Sequence, residues 1–355
     1  MSERTNLFAQ QEANRRRSRW LVVGFILFFA WLGFGGDLVF YLWTRDAAPG
    51  AYHHVFPAFG IVLSIIAAGI AAYAWRTGPR KVLWATGARE LATPGAPEER
   101  QLENVVEEMA IAAGVPRPRI WIIPDPDPNA FATGYDARTS NIAVTRGLLA
   151  LCTRDELQGV IGHEMGHIEN LDVRLMTLLA ALVGAVALIS DGLSRSLFRS
   201  GGRGVRVSGG GGGDRRDKGG GGGGALVVIL LVVWIVSWLL APLITRLLAL
   251  GVSRDREYLA DAMSAQFTRN PLALASALEK IDQAAAPTSS IKGGTAHLCI
   301  ADPLGRRVNA STGWLARLLG THPPIATRVA RLREMAYQPA AAAEVVGEAG
   351  RGASA

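Results

Sequence analysis

Two long apolar runs near the start of the chain constrain its fold more than any other feature of the sequence. They extend from Trp20 to Trp43 and from Val55 to Trp75. Each run has the length that an α-helix needs to cross about 30 Å of hydrocarbon. Aromatic residues at the ends are typical of membrane anchors, and no small-x-small cleavage site follows the first run. The sequence therefore predicts transmembrane helices at residues 20–43 and 55–75.

Charged residues around these runs predict their orientation. Residues 1–19 form a basic N-terminus, further basic residues follow the second run, and the connection between the runs contains Arg45 as its only basic residue. By the positive-inside rule, both flanks and the domain that follows face the cytoplasm. Asp37 is the single formal charge inside either run, and we expect it to reach the membrane interface.

Composition narrows the class of protein further. The chain has 355 residues, of which 49% are hydrophobic, and this excludes a disordered or fibrous protein. Its basic residues, which give a net charge of +7, cluster beside apolar runs without interleaved aromatics. We therefore expect lipid headgroups rather than nucleic acid as the partner. Cys152 and Cys299 are the only cysteines, so a disulfide framework and a thiolate zinc site are excluded.

A second pair of apolar runs, residues 175–190 and 225–250, interrupts the rest of the chain. The loop between them, residues 195–224, is basic and rich in glycine, which predicts a flexible linker. Either both runs cross the membrane, or they form a hairpin that enters it from the cytoplasmic side. The lengths of the runs leave both alternatives open. Residues 337–355 are expected to form a disordered tail.

The rest of residues 76–336 has the pattern of one soluble domain. Thr153 and Glu156 have the spacing of a capping box, which predicts where the central helix begins. The expected fold class is α+β: a mainly helical integral-membrane protein with a small sheet packed on helices. Strands are predicted at residues 119–123, 129–135 and 141–145, and helices at 98–113, 153–170, 257–267 and 271–286.

The central helix contains the sequence His163-Glu164-Met165-Gly166-His167. Two histidines four residues apart project from one helix face, so both imidazoles can bind one metal ion. Bound Zn²⁺ lowers the pKa of a water from 15.7 towards about 7, and the glutamate can take its proton and deliver it to a leaving amine. The pattern predicts peptide hydrolysis at neutral pH with one Zn²⁺ per chain.

A catalytic zinc site needs a third protein ligand. Val173 stands where the metzincin pattern requires histidine, which excludes that class. A later helix supplies Glu257 and Asp261, four residues apart. Glu257 could bind the metal while Asp261 accepts the spare N–H of a ligand histidine. Two alternatives remain open: these carboxylates pair with neighbouring arginines, or His297 is the third ligand.

With these motifs, the sequence resembles the HtpX heat-shock membrane proteases and their eukaryotic relatives, the CAAX prenyl endopeptidases. The resemblance extends from about Arg76 to Ala336 and implies a gluzincin-type metalloprotease domain, with one HExxH helix and one ExxxD helix. The basic insert from Arg195 to Gly224 departs from that family. The motifs that match are Asn129–Gly134, the HEMGH helix, the EYLAD helix, His297–Ile300, and Thr321–Pro324 with Arg328.

Residue by residue, the resemblance implies the roles of a zinc protease. Glu164 would be the general base, and Asp261 would orient a ligand histidine. His322 would donate a hydrogen bond to the oxyanion of the tetrahedral intermediate, with Arg328 holding His322 or sharing this task. Three residues would bind zinc: His163, His167 and Glu257.

The resemblance also implies an edge strand beside the zinc site. An unpaired strand edge can hydrogen-bond an extended substrate backbone with little selectivity for side chains, as a broad endopeptidase requires. The alternative is an ordinary buried strand. The residues concerned are Asn129, Ala130, Phe131 and Ala132.

The leading prediction is a zinc-dependent endopeptidase of the bacterial inner membrane that cuts misfolded or damaged membrane proteins, including copies of itself. The reaction follows from the residues, whereas the quality-control role is what the resemblance implies. A selective processing protease is the alternative within the same class. From other classes, a catalytically silent membrane scaffold is disfavoured by the presence of Glu164, and a transporter by the lack of paired charges inside the spans.

Overall fold

The computed structural model describes residues 7–45, 48–185, 232, 254–284, 298–300 and 323–336. Several sequence predictions lie outside these residues. They concern the loop at 195–224, nearly all of the apolar run 225–250, the tail at 337–355, and the side chains of His297 and His322.

Two long helices contain the apolar runs at the start of the chain. α1 comprises Leu7–Thr44 and α2 comprises Ala58–Ala85, and both are long and apolar enough to cross a membrane. α1 begins well before Trp20, so much of the predicted basic N-terminus is helical. Arginine is a good helix former, and a helix can therefore continue past the end of its apolar run into water.

The side chain of Asp37, the single charge within the apolar runs, is buried between α1 and the segment that follows it. One carboxylate oxygen lies 2.7 Å from His54 Nε2, and the other accepts a hydrogen bond from the Gly60 backbone at 2.6 Å. These contacts show what holds the side chain within the protein, and its expected depth at the membrane interface stays a prediction. The partners come from the connection to α2 and from the first turn of α2, where backbone N–H groups lack helical acceptors.

The sheet of the soluble domain has four strands in the order β1-β2-β4-β3. β2 and β4 pair in parallel, whereas β1 pairs with β2 and β3 pairs with β4 in the antiparallel sense. The predicted strands are confirmed, although β3 is shorter than predicted and the two-residue β1 was not foreseen. The strands are β1 (Arg89–Glu90), β2 (Arg119–Ile123), β3 (Ala130–Thr133) and β4 (Asn141–Thr145).

Seven further helices are present among the described residues. Predicted helices at 98–113, 153–170, 257–267 and 271–286 are confirmed to within a few residues, and the run beginning at 175 is helical as far as residue 185. The helices are α3 (Pro97–Ala113), α4 (Arg146–Leu151), α5 (Arg154–Glu169), α6 (172–185 of the described residues), α7 (Arg254–Thr268), α8 (Pro271–Gln283) and α9 (Ile325–Met335).

α5 runs through the centre of the domain. Its predicted capping box is formed, since Glu156 Oε2 accepts from the Thr153 backbone at 2.8 Å and Thr153 Oγ1 accepts from the Glu156 backbone at 3.4 Å. Glycines let the neighbouring helices approach. A Cβ on Gly159 would lie 2.8 Å from a backbone nitrogen of α8, and a Cβ on Gly166 would lie 3.2 Å from a backbone carbon of α7. This close approach brings the carboxylates of α7 next to the histidines of α5.

Two hydrophobic clusters hold the site in place. The larger one packs α5 between α3, α8 and the sheet, and its fully buried members include Leu102, Val106, Ile142, Ile161 and Leu278. The second cluster joins the end of α2 to the sheet and to α6, through Val82, Leu83, Phe131 and Met176. The membrane helices and the soluble domain are therefore packed together rather than joined by a free linker.

Candidate metal centre

The two histidines of α5 face each other as their spacing predicts. Their ring centroids are 4.7 Å apart and their planes are nearly perpendicular. His163 Nε2 lies 3.2 Å from His167 Nε2. Both side chains are buried. One nitrogen from each ring thus points at the same small volume inside the protein.

Glu257 of α7 completes a group of three potential ligands. Its Oε1 lies 3.5 Å from His167 Nε2, and its Oε2 lies 3.8 Å from His163 Nε2. One ligand atom from each of the three residues lies within 4.8 Å of the others. Ligands bound about 2.0–2.1 Å from a tetrahedral zinc lie roughly 3.3 Å apart. The three side chains therefore fit one zinc ion.

A carboxylate lies behind each histidine. His163 Nδ1 is 2.9 Å from Asp261 Oδ1, as the sequence predicts for Asp261. His167 Nδ1 is 3.4 Å from Asp172 Oδ2. A partner on the outer nitrogen sets the tautomer and the ring orientation, so the inner nitrogen keeps its lone pair for a metal.

Asp172 is a site residue that the sequence analysis missed. It begins α6, directly after Leu171, which turns the chain with a positive φ of 59°. A bulky residue is uncommon in this conformation, so the turn that returns Asp172 to His167 is hard to foresee from sequence. The one sequence feature that could have indicated its role is its position, since it is an acidic residue five positions after His167. Asp172 also accepts a hydrogen bond from Asn14 of α1 at 2.7 Å.

Arg328 of α9 is fully buried behind the metal ligands. Its Nε and one terminal nitrogen donate to the two oxygens of Asp261 at 2.9 and 2.7 Å. Its other terminal nitrogen donates to the Ile300 carbonyl at 2.9 Å and lies 3.5 Å from Glu257 Oε2. Burial alone would raise the pKa of Asp261, but Arg328 and His163 together hold it below its ordinary value. Arg328 thus contacts the carboxylates that orient and supply ligands.

The buried charges give the two histidines different proton affinities. Burial lowers the pKa of His163 to about 4, although Asp261 opposes this change. Burial also disfavours the charged form of His167, but hydrogen bonds with Asp172 and Glu257 outweigh it and raise the pKa to about 10. A metal binds neutral imidazole, so binding at His167 has to displace a proton.

Glu164 lies in the same interior region with its side chain buried. No well-formed hydrogen bond reaches either carboxylate oxygen within the described part of the chain, although the Ala132 backbone lies close enough to lower the pKa of this group. Burial raises the pKa of Glu164 to about 7, against the opposing charge of His167. Buried carboxylates in native proteins almost always have a partner. An acid of this kind beside three converging ligand atoms fits a site that holds a metal ion and a water.

β3 is the outer strand of the sheet among the described residues, and it packs against α5. The Thr145 backbone donates a hydrogen bond to the Asn129 carbonyl. Along an antiparallel pair of strands, hydrogen-bonded residues alternate with residues whose N–H and C=O groups point away from the partner strand. The backbone groups of Ala130 and Ala132 therefore point away from β4. The Ala130 carbonyl accepts from the Ile300 backbone at 2.9 Å. The Ala132 backbone lies beside the Glu164 carboxylate. All of β3 is buried in this structure.

The structure brings together most of the residues that the sequence singled out. They are His163, Glu164, His167, Glu257, Asp261 and Arg328, with Ala130 and Ala132 next to them. Asn129 and Phe131 are buried in the same strand region. The alternative in which Glu257 and Asp261 pair with Arg254 or Arg256 of their own helix stays a prediction, and the arginine that contacts both carboxylates is Arg328 of α9. The roles of His322 and His297 stay predictions.

Known proteins resemble this chain over most of its length. Residues 96–336 match peptidase family M48. The chain is 38% identical over 330 residues to the "Protease HtpX homolog" of Streptococcus gordonii, covering 93% of this chain and 100% of that relative. It is 39% identical over 324 residues to the "Protease HtpX homolog" of Dictyoglomus turgidum, covering 91% of this chain and 93% of that relative.

A solved structure is also similar, the crystal structure of S. mikatae Ste24p. The TM-score is 0.40 and the sequence identity 20%, over 84% of this chain and 62% of that chain.

The mainly helical fold with a small sheet, two long apolar helices and a HExxH site defines a membrane metalloprotease. The chain belongs to peptidase family M48. The predicted resemblance to the HtpX proteases and the predicted enzyme class are confirmed.

Proposed function

We propose that this chain is a zinc-dependent endopeptidase with a gluzincin-type site, and that it cuts misfolded or damaged membrane proteins. The observation that supports it best is the convergence of three ligand atoms within 4.8 Å, next to the buried side chain of Glu164. His163, His167 and Glu257 would hold the zinc ion. A bound Zn²⁺ would supply a Lewis acid that lowers the pKa of water and polarises a carbonyl.

The chain's own residues would supply the proton transfers and the positioning. Glu164 would take a proton from the attacking water and later deliver it to the leaving amine. Asp261 and Asp172 would keep both imidazoles in the tautomer that binds metal. Arg328 would act as a positioning residue, because it holds both oxygens of Asp261 while it is fully buried.

The oxyanion would be stabilised from the segment just before α9. His322 precedes Pro323 by one residue, and α9 places Arg328 at the metal site. A side chain six residues before Arg328 is therefore within a short chain distance of the site. We propose His322 as the hydrogen-bond donor to the oxyanion.

The substrate would pair with the outward edge of β3. The Ala130 carbonyl already accepts a hydrogen bond from the Ile300 backbone. We therefore propose the backbone of Ala132 as the main partner of the substrate in this strand. Its position beside Glu164 would place the bound peptide backbone near the base. Backbone pairing of this kind gives affinity with little dependence on side chains, which suits unfolded substrates.

We further propose a multi-pass protein of the bacterial inner membrane with its site facing the cytoplasm. The basic residues before Trp20 and after Trp75 support this orientation. Packing of the end of α2 into the second hydrophobic cluster supports a domain on the same side of the membrane as the basic residues that follow Trp75. A cysteine introduced at Glu98 should be protected from a membrane-impermeant thiol reagent in intact cells. Labelling of this cysteine before lysis would reverse the proposed orientation.

Cleavage of casein by the full-length protein in detergent tests the enzymatic proposal. The protein should lose activity on chelation and regain it when one equivalent of Zn²⁺ is added. Glu164→Gln should bind zinc as the wild type does but should be inert, because the amide cannot accept the proton. Glu169→Gln, on the same helix and outside the group of ligands, is the matched control and should remain active. A fully active Glu164→Gln protein would remove the proposed base.

A further inference from the structure

A basic cavity lies between the N-terminal part of α1 and the start of α6, and none of the proposed metal ligands lines it. Its volume is about 570 Å³, and its lining residues are Gln11, Glu12, Arg15, Arg19 and Arg174. Three of these five side chains are cationic and one is anionic, so the cavity has an excess of positive charge. A second cavity of about 510 Å³ shares Gln11 and Arg15, and its other charged lining residues are Arg138, Asp136 and Glu169.

The three arginines converge although like charges repel. Arg15 and Arg19 are four residues apart and share one face of α1. Burial, together with the neighbouring charges of Arg15 and Arg19, lowers the pKa of Arg174 below its ordinary value, against the opposing charge of Asp136. Arg174 Nε is buried and has no hydrogen-bond partner within the described part of the chain. An anion in the cavity would relieve the repulsion and accept from these donors.

Aromatic residues hold Arg174 in place. Its guanidinium lies 4.7 Å from the ring centre of Trp75. Trp75 in turn stacks on Tyr135, with the ring centres 5.4 Å apart and the planes 6° from parallel. The Tyr135 hydroxyl donates to the Ala74 carbonyl. Stacking on a ring leaves the edge of a guanidinium open to bind an anion, so the site is organised before the ligand arrives.

The cavity lies at the level of the membrane surface. Trp75 ends the apolar run of α2, and Trp20, directly after Arg19, begins the apolar run of α1 with 66% of its surface exposed. Tryptophan is enriched where hydrocarbon meets headgroups. The guanidinium groups therefore lie where the phosphates of lipids are found.

We propose that this cavity binds the phosphate group of an anionic phospholipid headgroup. Arginine matches phosphate with paired N–H donors, and three arginines around one cavity provide both charge and direction. A soluble phosphate ester has the same binding chemistry. We commit to the lipid because the cavity lies between α1, which contains an apolar run long enough to cross a membrane, and the start of α6, and because Trp75 at the end of the apolar run of α2 contacts one of its arginines. The bound headgroup would link α1 to α6.

Thermal unfolding and native mass spectrometry of the full-length protein in a neutral detergent test this proposal. The probes are phosphatidylglycerol, phosphatidylcholine and the soluble headgroup analogue glycerol 3-phosphate. Phosphatidylglycerol should raise the unfolding temperature and remain bound in the gas phase, since a ligand that binds only the folded state stabilises it. Phosphatidylcholine and glycerol 3-phosphate should do neither at the same concentration. Equal effects of phosphatidylcholine would overturn the anionic preference, and equal effects of glycerol 3-phosphate would overturn the assignment to a lipid.

Two matched variants separate the cavity from general surface charge. Arg15→Gln/Arg19→Gln/Arg174→Gln should weaken phosphatidylglycerol binding by about 10- to 100-fold. Arg16→Gln/Arg76→Gln/Arg80→Gln removes the same charge from exposed arginines outside the cavity lining and should bind nearly as the wild type does. Equal losses in both variants would contradict the proposal. Should the cavity triple variant fail to fold, Arg174→Lys keeps the charge but loses the planar fork. The affinity of Arg174→Lys for phosphatidylglycerol should still fall several-fold. An affinity equal to that of the wild type would contradict the proposal that Arg174 binds the phosphate.

Discussion

Two regions of this protein contain a buried histidine paired with a carboxylate, and they differ in what the second ring nitrogen does. In the membrane hairpin, His54 meets Asp37 with Nε2, while Nδ1 lies 2.9 Å from the Tyr52 hydroxyl. In the metal centre, His163 and His167 each meet a carboxylate with Nδ1, while their Nε2 atoms face each other and Glu257. Both nitrogens of His54 are used within the fold, whereas each histidine of α5 directs one nitrogen towards a shared volume.

This difference separates a structural pair from a ligand set. A histidine with two protein partners contributes to stability and has no lone pair available for a metal. A histidine held from behind by an acid presents its remaining nitrogen in a fixed direction. Substitutions in the hairpin should therefore change the free energy of unfolding, and substitutions in the metal centre should change metal affinity and catalysis.

The largest effect is expected for Glu257→Gln. The amide is a poor zinc ligand, so casein cleavage should disappear. Loss of a residue that only orients a ligand lowers metal affinity by roughly 10- to 100-fold, and loss of a ligand itself should lower it further. Equilibrium dialysis against buffered zinc measures the affinity. Asp255→Asn, an exposed position in the same helix turn, is the control and should bind zinc normally. Unchanged zinc affinity in Glu257→Gln would assign the third ligand elsewhere.

Arg328→Met should have the next largest effect. It removes the only described basic partner of Asp261 besides His163 and leaves buried carboxylates without their counter-charge. Breaking a buried ion pair from one side costs about 3–5 kcal/mol of stability. Denaturant unfolding of the zinc-free protein should show this loss. A double variant with Asp261→Asn should be less destabilised than the sum of the two single variants. Additive effects would show that the two side chains do not interact.

Asp172→Asn should lower zinc affinity by about 10- to 100-fold, because the amide orients His167 less strongly than the carboxylate does. The free energy of unfolding of the zinc-free protein should change less than in Arg328→Met. Equilibrium dialysis against buffered zinc, together with the absorption spectrum of the cobalt-substituted protein, reports a change at the metal itself. Asp127→Asn, a buried acid outside the ligand group, is the control. Wild-type zinc affinity in Asp172→Asn would leave Asp172 as a structural residue only.

Asp37→Asn should destabilise the protein by about 1–3 kcal/mol, the usual cost of leaving a buried donor or acceptor without its partner, without any change in zinc content. The carboxylate accepts from the Gly60 backbone and meets His54, and the amide can replace only part of these contacts. Thermal unfolding in detergent and zinc analysis on the same sample check both parts. A loss of zinc at unchanged stability would break the distinction between the two regions.

The smallest effect is expected at the ion pair between Glu156 of α5 and Lys280 of α8, in which only the lysine is partly exposed. Glu156 accepts from Lys280 at 2.7 Å, and although burial alone would raise the pKa of Glu156, this contact and Ser276 lower it below its ordinary value. The pair therefore stabilises the fold fully at pH values above about 4.3, the ordinary pKa of glutamate. This contribution is lost as the pH falls through the lower pKa that Glu156 has in the folded protein. Glu156→Gln should cost about 1 kcal/mol at pH 7. Comparison of unfolding curves should show this difference shrinking between pH 5 and about pH 3. A constant difference over this range would exclude the charge as its cause.

The sequence predicted local features better than contacts between distant segments. β2 and β4 begin and end where their β-branched runs predict, and the capping box at Thr153 placed α5 correctly. Glu257 was found because zinc chemistry demands a third ligand and a later helix offered an acid. Asp172 was missed because it depends on the turn at Leu171.

Other features depended on partners that are distant in sequence. The burial of Asp37 follows from residues of α2, and hydropathy of α1 alone does not contain that information. Arg328 could be placed near the site only by family resemblance, because its contact with Asp261 joins residues 67 positions apart. Patterns with the period of a helix or a strand do not encode such pairs.

X-ray absorption at the zinc edge of the zinc-loaded Glu164→Gln protein tests the central claim most directly, since this variant cannot digest itself. The site predicts one zinc per chain with nitrogen and oxygen ligands at about 2.0–2.1 Å and the scattering pattern of two imidazoles. A third imidazole would identify His297, rather than Glu257, as the third ligand. Absence of bound zinc, or a single imidazole, would contradict the proposed metal centre altogether.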